Sequence, residues 1–263
     1  MYRRIGSACV LLILVFGLFA QPAAAEAPVR VLFVGDDHSW FLDTYFPKLA
    51  ASGDPAVTVT PGAAVIGGNT LEQIWEVGRD VSPDFKALQA GEGKWDFGVI
   101  GIGYWCKGPD APKFTDWVPK YDEAFKQAGA QTVITAPWPD QHDKETVSEY
   151  MAVADGLAAQ LGARVAPVGP AMDRVWRERP GLIEYVDEYH VNAPGWYLQM
   201  CVLYATLFDR SPEGLTYRMG DVPVPSSESA LWNLSKGWAL SDADAAYLQR
   251  VAWETVKEHQ AQK

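Results

Sequence analysis

Short apolar, β-rich runs alternate with amphipathic stretches along most of the chain, and this rhythm limits the fold more than any other feature. Val29–Val34, Val57–Thr60, Phe97–Ile102, Thr132–Ala136 and Arg164–Val168 read as strands. Phe97–Ile102 is apolar almost throughout, the pattern of a strand covered on both faces in a parallel sheet. Helical patterns fall between them: Phe41–Ala51, ended by Ser52-Gly53, then Thr70–Val77, Ser82–Gln89, Asp116–Ala128, Thr146–Leu161, closed by Gly162, and a helix around Ala171–Arg177. Ser82-Pro83 sets a capping serine before a proline at the first helical position. Alternation with short connections predicts a flavodoxin-like three-layer α/β/α sandwich with a parallel sheet. Right-handed crossovers bring all strand C-termini to one edge, where ligands bind. Gly35-Asp36-Asp37-His38, Gly101-Ile102-Gly103-Tyr104 and Ala136-Pro137-Trp138 would all emerge there. Further on, Gly195–Phe208 reads as a helix, Ser211 to Ser229 as a polar Gly/Pro/Ser-rich stretch, and Asp242–Lys257 as a final helix capped by Ser241. No internal repeat appears, so residues 26–263 are expected to form one domain that includes the C-terminal helix.

Residues 1–25 stand apart. Arg3 and Arg4 precede an apolar run from Val10 to Ala20, and Ala23-Ala24-Ala25 offers a small-residue cleavage site, the pattern of a signal peptide. The run is too short for a stable membrane span, so the expectation is a secreted or periplasmic protein with no stable membrane insertion after cleavage. Losing Arg3 and Arg4 leaves 20 basic residues against 33 acids, a net charge of −13. That balance argues against nucleic acid and anionic membranes as partners and is compatible with neutral glycans or small esters. Cleavage keeps only Cys106 and Cys201, which would pair or lie buried as small apolar groups. No C-x-x-C or His-x-x-x-His spacing points to structural zinc, and no cofactor is expected. Among eleven tryptophans, Trp40, Trp105, Trp138 and Trp196 fall near strand ends or loops, where they serve packing or sugar stacking.

Asp187-Glu188-Tyr189-His190 carries the clearest chemistry. A histidine used in proton transfer needs one ring nitrogen fixed by an acceptor and the other aimed at the proton it handles. Asp187 is placed to be that acceptor, and Asn192 followed by Pro194-Gly195 starts a helix directly after the pair.

These motifs resemble those of the SGNH/GDSL hydrolases, from about Val29 to the C-terminal helix. Val31-Leu32-Phe33-Val34-Gly35 resembles the family's first strand and turn, and Gly67-Gly68-Asn69-Thr70-Leu71 its second block. Trp95-Asp96-Phe97-Gly98-Val99-Ile100 resembles the third-block strand and Asp187-x-x-His190 the fifth block. The resemblance implies His190 as base, Asp187 as its orienting partner, and the backbone of Gly68 or Gly67 as oxyanion donor. Asn69 and Gly103 are expected to line the same subsite. The implied activity is hydrolysis of an ester of acylated carbohydrate or a related small ester.

Two positions depart from the family pattern. Asp37 stands where the nucleophilic serine is expected, and Gly101-Ile102-Gly103-Tyr104 lacks the third-block Asn or Gln. A carboxylate cannot form the same acyl-ester cycle, and its charge opposes a developing oxyanion. Three routes remain: Ser39 as a displaced nucleophile, Asp37 activating water with His190 as acid, or a catalytically silent site that binds glycan or another small ligand. Asp36-x-His38 also mimics the first metal motif of calcineurin-like phosphoesterases. The four histidines, His38, His142, His190 and His259, include no second ligand pair of that family, so no metal is expected. His142 would line the cleft mouth or be solvated.

Overall fold

The first strand, β1 (Val29–Gly35), sends Val31 and Phe33 into one core and Leu32 and Val34 into another, and all four are buried. In a pleated strand successive side chains point to opposite faces, so this run needs a layer of helices on each side. The computed structural model describes residues 27–101, 103, 110–219 and 240–263. The leader, Trp105, Cys106 and much of the polar stretch before the last helix lie outside the described residues.

β1 is joined by β2 (Val59–Val65), β3 (Phe97–Gly101), β4 (Gln131–Ala136) and β5 (Arg164–Pro167) in a five-stranded sheet of order β2-β1-β3-β4-β5. Every pairing is parallel, with Gly35 opposite Val65 and Gly101 where the three strands end. On one face lie α1 (Leu42–Ala51), α7 (Val168–Glu178), α8 (Ala193–Phe208) and α9 (Asp242–Ala261). On the other lie α2 (Leu71–Val81), α3 (Pro83–Gln89), α4 (Pro112–Thr115), α5 (Val118–Gln127) and α6 (Val147–Leu161). The expected three-layer α/β/α architecture is present.

α8 is buried from Ala193 to Leu207, because α9 covers the side turned away from the sheet. An all-round apolar helix needs such a cover. Among the described residues, no helix is long and apolar enough to cross a membrane.

Several boundaries differ from the sequence reading. β2 begins and ends later than Val57–Thr60, running through Pro61 and Gly62. Those residues normally punctuate a strand, but β2 is an edge strand, where a missing N–H costs no ladder bond. Gly62 has a second role: a side chain there would collide with Trp95. The expected Asp116–Ala128 helix is α5 alone, preceded by the separate turn of α4. α7 starts directly at Val168, and α9 continues to Ala261. Cys201 is a free, buried thiol, while Cys106 lies outside the described residues.

Candidate active site

The turn after β1 is shaped by two glycines. A Cβ on Gly35 would overlap the Gly101 carbonyl oxygen and Ser39 Oγ, and one on Gly101 would also strike Ser39. This space lets Ser39 fold beneath the turn, where its hydroxyl donates to the Gly101 carbonyl at 2.7 Å. Asp36 caps the short 3-10 turn over Asp37–Ser39, accepting from the His38 amide at 3.0 Å. Its second oxygen accepts from the Gly103 amide at 3.1 Å, tying the β1 and β3 loops together. Asp37 is thereby held at the sheet's C-terminal edge. Ser39 is fully buried and engaged, which removes it as a displaced nucleophile.

The second loop is braced at several points. Tyr185 and Val191 form an antiparallel bridge, and the Val186 amide donates to the His190 carbonyl at 2.8 Å. Trp138 Nε1 donates to the Tyr189 carbonyl at 2.9 Å, and the Tyr185 hydroxyl to the Pro139 carbonyl at 2.6 Å. Asn192 caps α8, accepting from the Gly195 amide at 3.4 Å. Trp138 and Trp196 are buried and pack edge to face, 5.6 Å between centroids, so both serve the core.

Between these loops Asp37, His190 and Asp187 meet. His190 Nδ1 lies 2.7 Å from Asp187 Oδ2, and His190 Nε2 lies 2.6 Å from Asp37 Oδ2. Asp187 Oδ1 accepts the amides of Tyr189 at 2.8 Å and His190 at 2.7 Å, which fixes the carboxylate before it touches the ring. Asp37 Oδ1 accepts from the Gly68 amide at 3.2 Å. Gly68, at φ 68°, sits in the left-handed region, where glycine carries no Cβ penalty. The loop leads into α2 through a Thr70–Gln73 capping box.

Electrostatics make this an ion-paired unit. Burial opposes charge on Asp37, but the His190 hydrogen bond, the nearby His38 ring and the Gly68 amide outweigh it and hold the carboxyl pKa at about 2. Burial likewise opposes the His190 cation, yet hydrogen bonds to Asp37 and Asp187 raise its pKa above the ordinary 6.5. Asp187, also opposed by burial, is held low by the backbone and ring hydrogen bonds from His190. The upward shift on His190 favours an imidazolium between two carboxylates, the form in which both ring nitrogens donate.

The other expected residues are placed differently. Gly67 packs against Trp40, since a Cβ there would press on the indole. The Asn69 side chain donates to the Gly67 carbonyl at 2.9 Å, and its amide closes a turn to Ile66 at 3.3 Å. The Gly103 amide is taken by Asp36, and Gly103 leaves room for the His38 ring. His142 is exposed. Asp36, Asp37 and His38 offer ligand atoms within 4.8 Å of one another. Yet each Asp36 oxygen accepts a backbone amide, and the Asp37 oxygens face His190 and Gly68, a donor set poorly suited to an ion. Sequence reading did not find Asp36 as the brace between loops or Trp40 as the ring stacked on His190; an aspartate directly before a short turn is a signal from which the first could have been found.

The same architecture recurs in solved structures. A putative SGNH hydrolase from Slackia heliotrinireducens is 25% identical, with a TM-score of 0.55, covering 69% of this chain and 100% of that one. The fold is that of the SGNH hydrolases. A DUF4886 family protein from Bacteroides uniformis matches at a TM-score of 0.64 and 16% identity, over 88% of this chain and 95% of its own. An acetylxylan esterase from Geobacillus stearothermophilus matches at 0.50 and 15%, over 69% of this chain and 93% of its own. No family model and no curated protein matches the chain.

Proposed function

We propose that this is an exported SGNH-fold hydrolase that cleaves an ester of acylated carbohydrate, or a related small ester, by direct attack of water at the Asp37–His190 pair. The observation that carries this reading is the 2.6 Å contact between His190 Nε2 and Asp37 Oδ2 at the edge of the sheet, with Asp187 behind the ring. An acylated carboxylate would be an anhydride, so the acyl-enzyme cycle of a serine is closed to Asp37. The charged pair instead divides the work of a one-step hydrolysis. Asp37 accepts a proton from water and orients it, and the imidazolium donates to the departing alkoxide. Substrate class rests on the net negative charge of the chain, which suits neutral molecules, and on the kinship of the fold with esterases, one of them an acetylxylan esterase. Export rests on the basic residues, apolar run and alanines of the first 25 positions.

One observation favours a second reading, a silent site that binds a glycan or another small ligand. The Gly68 amide, the natural oxyanion donor, already bonds Asp37. A panel of acetylated sugars, including acetylated xylo-oligosaccharides, separates the two. Turnover that disappears in Asp37→Asn and His190→Gln supports hydrolysis. Saturable binding by calorimetry without turnover selects the binding reading, and neither turnover nor binding refutes both.

A further inference from the structure

We infer that Asp37 is also a nucleophile toward saturated carbon, and that this triad hydrolyses small haloalkanes through an alkyl ester of Asp37. The inference rests on Asp37 and His190 being the reacting pair, as above, and assigns them a second bond type.

The argument begins with what a carboxylate can attack. Transfer of an acyl group to Asp37 yields an anhydride, a higher-energy species than the ester it came from. Transfer of an alkyl group yields an ordinary ester, which the surrounding residues are arranged to hydrolyse. In that ester one carboxyl oxygen becomes the carbonyl oxygen, and Asp37 Oδ1 already accepts from the Gly68 amide at 3.2 Å, where an oxyanion would develop. The other side of the carboxyl faces His190 Nε2 at 2.6 Å, where a base must stand to deprotonate an attacking water. Asp187 fixes the far nitrogen at 2.7 Å. For a serine esterase, a Gly68 amide bonded to the nucleophile is misplaced. For hydrolysis of an Asp37 ester it is in position. The Asp37 and His190 side chains are each 11% exposed, so solvent reaches a pair that is otherwise desolvated.

The leaving group follows from geometry as well. Displacement at saturated carbon expels its leaving group opposite the attacking oxygen, on the side away from His190. His190 therefore cannot protonate it, and the group must depart as a stable anion. A halide does so, whereas an alkoxide does not.

The steps balance. Asp37 Oδ2 gives up its hydrogen bond to His190 Nε2 and forms a bond to carbon as the carbon–halogen bond breaks, and halide leaves with the electron pair. Esterification removes the negative partner of His190 Nε2, and the imidazolium releases its proton to solvent. Neutral His190 then takes a proton from water as the oxygen adds to Asp37 Cγ, placing the oxyanion at the Gly68 amide. Collapse expels alkoxide, which His190 protonates, and the regenerated carboxyl returns its proton to His190. The net reaction converts haloalkane and water to alcohol, halide and a proton, and one Asp37 oxygen now comes from solvent.

The full-length protein, incubated with 1-bromobutane, tests this. Bromide release by the wild type should exceed that of Asp37→Asn by at least tenfold. His190→Gln should release no more than one bromide per protein and retain one butyl group on the peptide containing Asp37. Turnover of the wild type in ¹⁸O-water should label the Asp37 carboxylate, a readout that needs no variant to fold. Bromide release no faster than in Asp37→Asn, with no butyl group on Asp37 and no label, overturns the inference. If acetylated sugars are still turned over in that preparation, only this inference falls. If they are not, the hydrolytic reading falls with it.

Discussion

The indole of Trp40 lies parallel to the imidazole of His190, 2° between planes and 5.5 Å between centroids. Trp40 is itself backed by the Gly67 loop, so the ring over the histidine cannot easily turn aside. An aromatic face over a partly desolvated cation is worth about 0.5–2 kcal/mol. Trp40→Leu should therefore lower the His190 pKa by about 0.4–1.5 units, at ~1.4 kcal/mol per unit. Histidine ring NMR across pH reads this directly. An unchanged titration would mean that the stack orients the ring without stabilising its charge.

The carboxylates should act more strongly than the indole. Asp37→Asn removes one of the two anions facing His190, and the His190 pKa should drop. Stability should follow the same linkage. Asp37 and Asp187 titrate below their unfolded value of 3.8, so their contribution is present above 3.8 and lost as pH falls, toward about 2 for Asp37. His190 titrates above its unfolded 6.5, so its contribution is present below 6.5 and lost as pH rises through the folded value. Thermal melts of wild type and His190→Gln should differ most between about pH 4 and 6.5, by about 2 kcal/mol. A difference that grows on the alkaline side would reverse the assigned charge state.

How much of this was readable beforehand depends on the range of the interactions. The five strands and most helices follow from local periodicity, and the caps at Thr70, Ser82 and Asn192 are local too. The extent of β2 was not legible, because tolerance of Pro61 depends on which strand lies at the edge. Asp187 and His190 are three residues apart and could be paired on spacing alone. Their meeting with Asp37 followed from placing both motifs at strand-end loops of one parallel sheet. The engagement of Gly103 by Asp36 and of Gly68 by Asp37 was hidden, since each joins separate loops through a backbone amide that carries no sequence signature.

Gly35 offers a test of how the scaffold holds the site. Its missing side chain lets β1 and β3 close on each other above Ser39. Gly35→Ala would force the Gly101 carbonyl away and break the Ser39 hydrogen bond beneath Asp37. Overpacking of this kind costs about 1–3 kcal/mol or more, because the clash is with backbone. Chemical denaturation should show at least that loss, and Gly35→Ala combined with Ser39→Ala should not restore it. Recovery in the double variant would place the constraint on Ser39 and not on the strand pair.

Asp37→Ser addresses the departure at the centre of the site. A serine hydroxyl there would stand near His190 Nε2, and the Gly68 amide would be released from the carboxylate. With one flanking anion gone, the His190 pKa falls, which favours the neutral base that a serine nucleophile requires. The variant should gain hydrolysis of p-nitrophenyl acetate over the wild type. The gain should be modest, since the Gly103 amide remains bonded to Asp36 and the chain has no Asn or Gln at the third-block position. One missing oxyanion donor is worth about 2.7–4 kcal/mol, or 10²–10³ in rate. Replacing Gly103 cannot supply it, because any Cβ there runs into the His38 ring. Robust acetyl-ester turnover by the wild type that Asp37→Ser abolishes would show instead that the carboxylate itself performs the chemistry, and burst kinetics in the serine variant would report a newly formed acyl-enzyme.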